Sequence, residues 1–306
     1  MKVLITGGAG FIASNIADRY LELGHEVVIV DSLITGQRKN IPEAAKFYEI
    51  DICDEKLKNI FEMERPDVVN HHAAQMDVRK SVADPSYDAS VNILGSINLM
   101  QNAVKYKVKK FIFASTGGAI YGEQDYFPAD EKHPNQPLSP YGITKLAFEK
   151  YLFFANDTHG LNYTILRYAN VYGPRQSPHG EAGVVAIFSQ RMLKKEQPVI
   201  NGEGTQTRDY VFVGDVVKAN ELALTGGDQK IYNIGTGIET DVNELFRKIA
   251  NQMDHDVEEV HGPGQPGEQQ RSVLDASFIM DDLGWKPSVD LDNGLNQTVE
   301  FFKGQA

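Results

Sequence analysis

A chain of 306 residues with 42% hydrophobic and 24% charged content can bury a large core, and its composition excludes a disordered polar chain. The formal net charge of -12 excludes a broad nucleic-acid-binding face, because the phosphate backbone selects basic surfaces. A single cysteine, Cys53, excludes an internal disulfide, and no apolar run approaches transmembrane length.

Val3 to Ile5 is a short apolar run ending at Gly7-Gly8-Ala9-Gly10, and Phe11 to Leu23 repeats apolar residues at helical spacing until Gly24. This predicts strand, turn and helix, and the run is too short for a signal peptide. A cytoplasmic protein with no membrane partner is therefore expected, with Cys53 as a small buried apolar side chain. Val27 to Val30 is β-branched and uniformly apolar, as a strand buried on both faces should be, and it ends at Asp31. Further strands are predicted at Phe47 to Ile50, Val68 to His71, Phe111 to Ala114 and Tyr163 to Leu166, with helices near 54 to 63, 86 to 105 and 141 to 157. Such alternation predicts an α/β fold, a Rossmann-type doubly wound parallel sheet. The rhythm breaks after Asn170, at Gly173-Pro174 and the irregular run from Gln176 to Gly183, and a second loop follows from Gly262 to Gly267. Residues 1–170 are expected to form the cofactor-holding domain. Residues 171–306 are expected to form mainly a smaller, mixed α/β C-terminal substrate-binding region, with some segments returning to the first domain.

The glycine cluster lies between the first strand and first helix, where missing side chains let the backbone approach a pyrophosphate and aim amides at it. Its spacing is Gly7-x-x-Gly10-x-x-Ala13, although an ordinary tight turn also uses glycines. Asp31 raises the case for a dinucleotide: a carboxylate there accepts from the adenosine ribose hydroxyls and repels a 2′-phosphate. NAD is favoured over NADP, with Arg38 and Lys39 keeping the phosphorylated cofactor as the alternative. Asp51 and Ile52 follow the third strand, at the edge where adenine is expected, with a solvated loop aspartate as the alternative. His71-His72 has no cysteine or acid at metal spacing, so a packed or cofactor-lining role is expected and no metal.

Tyr141 and Lys145 stand four apart in Ser139-Pro140-Tyr141-Gly142-Ile143-Thr144-Lys145, so a helix projects both from one face. The lysine charge, helped by a charged nicotinamide, is expected to lower the phenol pKa and make Tyr141 a usable base. Tyr106 and Lys110 share the interval, but Tyr106 ends a helix and precedes a strand, so that pair is expected at the surface. Thr116 ends the strand from Phe111, on the edge where open α/β sheets bind ligands, which places its hydroxyl beside the nicotinamide. A capping or turn hydroxyl is the structural alternative.

Thr6 to Ile12, Thr116 and Ser139 to Lys145 together resemble the extended short-chain dehydrogenase/reductases, and among them the sugar-nucleotide 4-epimerases. The likeness continues through Arg167 to Pro174, Arg208-Asp209-Tyr210-Val211 and Tyr232-Asn233-Ile234-Gly235, over essentially the whole chain. The resemblance implies a UDP-sugar substrate and 4-epimerisation with tightly held NAD. Tyr141 takes the 4-hydroxyl proton as C4 passes hydride, the 4-keto sugar turns, and the returning hydride inverts C4. Lys145 orients the nicotinamide ribose and tunes Tyr141.

Implied cofactor contacts are Gly7, Gly10, Phe11 and Ile12, then Asp31, Ser32, Leu33, Thr35 and Gly36. Asp51, Ile52, His72, Ala73, Ala74, Asn92, Tyr141 and Lys145 complete that set. Implied substrate contacts are Gln75, Thr116, Tyr141, Asn170, Gly183, Val184, Val199, Asn201 and Arg208, with Arg208 on the diphosphate. Gln265 and Glu268 join them, but Gln265 departs from the family, which usually carries arginine there, so a phosphate contact loses its charge. The related 4,6-dehydratases and decarboxylases typically carry an acid just after the strand-end hydroxyl. Here Gly117-Gly118-Ala119 follow Thr116, which favours epimerisation. Ser272 stands where galactose-specific epimerases often place a bulky aromatic, so N-acetylhexosamines are expected to fit as well as hexoses.

Apolar residues on more than one face of the helices near 86 to 105 and 141 to 157 include Ile93, Leu94, Ile97, Leu146, Phe148, Leu152 and Phe153. Family members pair these helices, which implies a homodimer; a thicker core is the alternative. Rival functions are a UDP-glucuronate 4-epimerase or decarboxylase, and a catalytically silent NAD-binding regulator. The regulator is expected to lose the set Thr116, Tyr141 and Lys145, all of which are present.

Overall fold

The computed structural model describes residues 1–178, 183–264 and 269–305. The first strands are β1 (Lys2–Thr6), β2 (Glu26–Asp31), β3 (Lys46–Glu49), β4 (Val68–His71), β5 (Lys110–Thr116) and β6 (Tyr163–Tyr168). Shorter ones follow: β7 (Asn170–Tyr172), β8 (Ile200–Asn201), β9 (Thr207–Phe212), β10 (Lys230–Ile234), β11 (Glu239–Asp241), β12 (His261–Gly262) and β13 (Arg271–Ser272). The main sheet runs β10-β6-β5-β4-β1-β2-β3, with every pair parallel. The winding reverses between β1 and β4, and the crevice beyond their carboxyl ends is where such sheets bind ligands.

Side-chain alternation along β1 divides the core. Val3 and Ile5 join Ile16 of helix Phe11–Glu22 and Val216 of helix Val213–Ala223 on one face. Leu4 joins Leu57, Leu99 and Phe148 on the other, beneath helices Leu57–Glu64, Ser96–Lys105 and Pro140–His159. Both faces are therefore dry, which is why these strands read as unbroken apolar runs. A third cluster, with Phe188, Phe246 and Leu295, packs helices Val184–Leu193, Val242–Ala250 and Leu291–Lys303 against β9. That strand pairs with β7, β11 and β13.

The helix carrying Tyr141 and Lys145 is fixed at both ends. Ser139 Oγ accepts from Gly142 N at 3.2 Å, Pro140 occupies the first turn, and Gly160 ends the helix at φ +70°. Its middle is anchored by a buried ion pair. Arg167 of β6 donates from Nη2 to Glu149 Oε2 at 2.6 Å and from Nε to Oε1 at 2.9 Å, and Ser115 Oγ of β5 donates to the same Oε1 at 2.6 Å. Arg167 Nη1 also donates to Tyr121 Oη, which donates to Asn233 Oδ1 of β10.

Three expectations need correction. The helix expected near 86 to 105 is broken into Pro85–Ala89, a π-helical segment Ser90–Gly95 and Ser96–Lys105, and it follows a further helix, Val78–Ala83. The wide turn aims Asn92 inward, where it binds the backbone of Gln75. Cys53 is exposed rather than buried, because it sits on the turn from Asp51 to Asp54. Lys110 is buried rather than superficial: its ammonium turns under the β5–β6 edge to bind Asp228 at 2.7 Å and the Gly226 carbonyl.

Removing one partner of a buried ion pair strands the other charge, so Glu149→Ala is expected to cost about 3–5 kcal/mol of unfolding free energy in urea titrations. The apolar double variant Glu149→Leu/Arg167→Met should cost less than that single substitution. A loss below about 1 kcal/mol for Glu149→Ala would contradict the assignment.

Candidate active site

The crevice is built around a buried hydroxyl. Thr6 Oγ1, at the end of β1, accepts from the backbone N–H groups of His72 and Ala73 at 3.2 Å each, and lies 2.7 Å from His71 Nδ1. His71 Nε2 in turn lies 2.8 Å from Ser96 Oγ, so the network fits a neutral ring that accepts at Nδ1 and donates at Nε2. Burial, then the Lys145 charge, holds the His71 pKa well below its ordinary value. The two loops touch because residue 7 is glycine: its φ is +70°, and a Cβ there would stand 2.7 Å from Ala73 N.

Helix Phe11–Glu22 begins at Gly10 with no side-chain cap, which leaves the first-turn N–H groups of Phe11 and Ile12 for an anion. Asp31 lies beside this turn. Its Oδ2 accepts from Ala9 N at 3.0 Å and its Oδ1 from Leu33 N at 2.8 Å, while Gly36 packs against the carboxylate. Burial raises its pKa, opposed by those two amides. Ser32 and Thr35 belong to the same loop and are partly or fully exposed. Arg38 pairs with Glu49 at 2.5 Å and Lys39 binds Gln305 at 2.9 Å, so both cations named for a 2′-phosphate are engaged elsewhere. Asp51 is half-buried and Ile52 buried beyond β3. The uncapped amides, the glycine contact and the acid at the end of β2 fit an unphosphorylated adenine dinucleotide.

Beyond β4, His72 stacks on Tyr168 and its Nε2 lies 3.2 Å from that hydroxyl, while its buried Nδ1 has no partner. Burial, then the Lys145 charge, pushes its pKa down to about 3. Ala73 and Ala74 lead to Gln75, whose N–H and C=O are clamped by the two ends of the Asn92 amide, both at 2.8 Å. Gln75 spends its own amide inside the protein, on Asp77 and Asp88. The sequence reading missed Asp88. This fully buried carboxylate accepts from Gln75 Nε2 at 2.9 Å, Asn92 Nδ2 at 3.0 Å and Thr144 Oγ1 at 2.8 Å, and so ties the loop to the Tyr141–Lys145 helix. The interval of four between Asp88 and Asn92 was the available signal.

Gly142 lets that helix lie on the turn Gly117–Ile120, since a Cβ there would come within 2.6 Å of the Ala119 carbonyl oxygen. Lys145 is buried, donates from Nζ to the Ala114 carbonyl at 2.9 Å, and stands 4.8 Å from the Phe113 ring centre and 5.8 Å from that of Tyr141. Burial lowers its pKa to about 8, against the charges of Asp88 and Glu149. The Tyr141 pKa is raised, chiefly by burial and then by Asp88, opposite to the expected direction. Desolvation and the Asp88 charge both penalise the phenolate. Thr116 is half-exposed at the end of β5, and its hydroxyl makes no capping bond, which removes the capping alternative.

Asn170 of β7 reaches the same place. A Cβ built on Gly118 would stand 3.6 Å from Asn170 Oδ1 and 3.9 Å from Thr116 Oγ1. Gly183 precedes helix Val184–Leu193, and Val199 and Asn201 are exposed at β8. Arg208 of β9 donates to the Thr207 carbonyl at 2.8 Å. Its neighbour Asp209 turns inward to Thr236, Gly237 and Leu274, so the two do not pair. Ser272 is buried in register with Arg208. Gly183, Val184, Val199, Asn201 and Arg208 lie on the second region and share no described hydrogen bond with Tyr141 or Lys145. Gln265 and Glu268 lie outside the described residues. Among the described residues no three His, Cys, Asp or Glu side chains gather as metal ligands, and no helix is long and apolar enough to cross a membrane.

The NAD dependent epimerase/dehydratase family matches residues 3–235. UDP-glucose 4-epimerase of Mycolicibacterium smegmatis is 42% identical over 313 residues, covering 100% of both chains. The crystal structure of UDP-glucose 4-epimerase from Thermotoga maritima with UDP-glucose is similar at TM-score 0.98 and 50% identity, over 100% of this chain and 99% of that one. That of the Thermus thermophilus UDP-glucose 4-epimerase complex with NAD gives 0.96 and 44%, over 100% of each.

A buried ammonium is a liability for the fold. With a pKa near 8 against the ordinary 10.5, Lys145 costs stability in full below pH 8, where both states are charged. Between those values only the unfolded state keeps the proton, so wild-type stability rises with pH. Lys145→Met is therefore expected to raise the unfolding free energy at pH 7 by about 1–3 kcal/mol, with the advantage fading as pH passes 8. Denaturant titrations across that range check it, and a variant less stable than wild type at pH 7 would count against it.

Proposed function

The chain belongs to the NAD dependent epimerase/dehydratase family, and from that premise we propose that it is a UDP-sugar 4-epimerase that interconverts UDP-glucose and UDP-galactose. One observation carries epimerisation over elimination. The turn after Thr116 is Gly117-Gly118-Ala119-Ile120, so that turn offers no carboxylate beside the hydroxyl to protonate a leaving group.

NAD, when bound, supplies the acceptor and donor for the C4 hydride. The first-turn amides of Phe11 and Ile12, with Gly7 and Gly10, receive its pyrophosphate, and Asp31 its adenosine ribose, beside Ser32, Leu33, Thr35 and Gly36. Asp51 and Ile52 flank the adenine side. The Asn92-clamped loop with His72, Ala73 and Ala74 supports the far half, with Lys145. Tyr141 takes the 4-hydroxyl proton, and the Lys145 ammonium favours the resulting phenolate. The uncommitted Thr116 hydroxyl donates to the C4 oxygen as charge builds there. Gly183, Val184, Val199, Asn201 and Arg208 grip the nucleotide, with Asn170, Gln265 and Glu268 completing the substrate set, while Gln75, its amide spent on Asp77 and Asp88, braces the loop from behind, so the 4-keto ring can present either face. Residues 1–170 thus hold mainly cofactor, and residues 171–306 mainly substrate. The small, buried Ser272 leaves room for N-acetylhexosamines.

The protein works as a cytoplasmic homodimer in this reading. Leu94, Ile143 and Phe153 are 64%, 52% and 62% exposed on adjoining helices, while Phe148 and Leu152 of the same helix lie in the core. An unpaired apolar face of this kind suits a second copy of the chain. Sedimentation at micromolar concentration is expected to show a dimer that Phe153→Asp dissociates; a monomeric wild type would refute it.

Purified protein, without added cofactor, should convert UDP-glucose to UDP-galactose and UDP-GlcNAc to UDP-GalNAc, and leave UDP-glucuronate unchanged. Tyr141→Phe should bind NAD yet lose at least about a hundredfold in kcat. Turnover of UDP-glucuronate alone would move the assignment to a uronate enzyme, and full activity of Tyr141→Phe would remove the phenol from the chemistry.

A further inference from the structure

Glycine costs a helix stability relative to alanine, so a helical glycine calls for a reason. On the turn Gly117–Ile120 the two glycines differ in theirs. A Cβ on Gly117 would collide with Leu274 Cδ1, so that residue is glycine because the second region packs against it. Gly118 meets no such obstacle. Its φ lies outside the left-handed region, and the nearest atoms to a built Cβ are Asn170 Oδ1 at 3.6 Å and Thr116 Oγ1 at 3.9 Å, both ordinary contact distances. The fold would accept alanine there.

What the missing side chain keeps open is the space between two polar atoms. The Thr116 hydroxyl caps nothing, and Gly118 itself is only half-buried, so this space opens on the crevice. From this we infer that Gly118 is a specificity-determining residue, whose bare backbone makes room for the hexosyl ring between Thr116 and Asn170. The inference rests on the UDP-sugar reading and adds to it the position that limits ring size. A side chain at 118 would crowd a ring that has to present both faces, while leaving the nucleotide grip on β8 and β9 untouched.

The test compares the NAD-loaded wild type with Gly118→Ala and Gly118→Leu. For UDP-glucose, kcat/KM is expected to fall about tenfold in the alanine variant and about a hundredfold or more in the leucine variant. The dissociation constant of UDP alone should stay within about twofold of wild type, as for a group that meets only the sugar. The melting temperature of Gly118→Ala should equal or exceed that of wild type, a gain that a packing-required glycine would not show. Because Gly118→Leu can fail to fold, the alanine variant decides. A folded Gly118→Ala with unchanged kcat/KM overturns the inference, and so does parallel weakening of UDP. An active wild type beside unimpaired variants sinks this inference alone, whereas a wild type that turns over no UDP-sugar sinks the activity itself.

Discussion

The buried pair of Glu149 and Arg167 decides where the chemistry can stand. Both side chains are almost wholly removed from water, at 1% and 2% side-chain exposure. Such a pair is tolerable because both carboxylate oxygens and all three guanidinium nitrogens have partners: Ser115 and Arg167 on the carboxylate, and Tyr121 on the remaining guanidinium nitrogen. The bidentate geometry has little freedom to slide. Glu149 lies one helical turn beyond Lys145, and Arg167 and Ser115 belong to the two strands under that helix. The rotation and height of the helix above the sheet are thereby set, and with them the position of the tyrosine and lysine at its beginning.

The front of the helix is held by a different device. Asp88 accepts from Thr144, Asn92 and Gln75, and so joins the helix to the loop beyond β4 that also leans on Thr6. The site is then a junction of short-range polar contacts inside an apolar frame, where the low local dielectric strengthens satisfied bonds and penalises isolated charge. Both working groups feel that penalty. Lys145 is pulled toward neutrality and Tyr141 away from ionisation. The resting site opposes the phenolate that the reaction needs, and positive charge brought close to Tyr141 has the most to gain there.

The sequence made the cofactor half legible for physical reasons. A strand buried on both faces reads as a continuous apolar run, and a glycine that must touch another backbone cannot be replaced, so β1, β2 and Gly7 stood out. Tyr141 and Lys145 stood out because strand end, loop and helical interval coincided. What stayed hidden depends on contacts distant in sequence. Lys110 followed a local pattern that placed it outside, yet Asp228 and Gly226 fold over it. The wide turn at Asn92 arises from a hydrogen-bonding demand of Gln75, which apolar periodicity does not encode. Gly117 and Gly118 looked alike in sequence because only the placement of Leu274 separates them.

The parallel pairing of β10 with β6 has a consequence for synthesis of the chain. The sheet that presents the catalytic helix lacks its last strand until residue 234 has been made, and Asn233 of that strand closes the chain of bonds running back to Arg167. A ribosome-bound fragment that already holds the glycine turn, the tyrosine and the lysine therefore still exposes the raw flank of β6, a template for pairing with another nascent chain. Residues 1–170 taken alone would keep that flank unpaired.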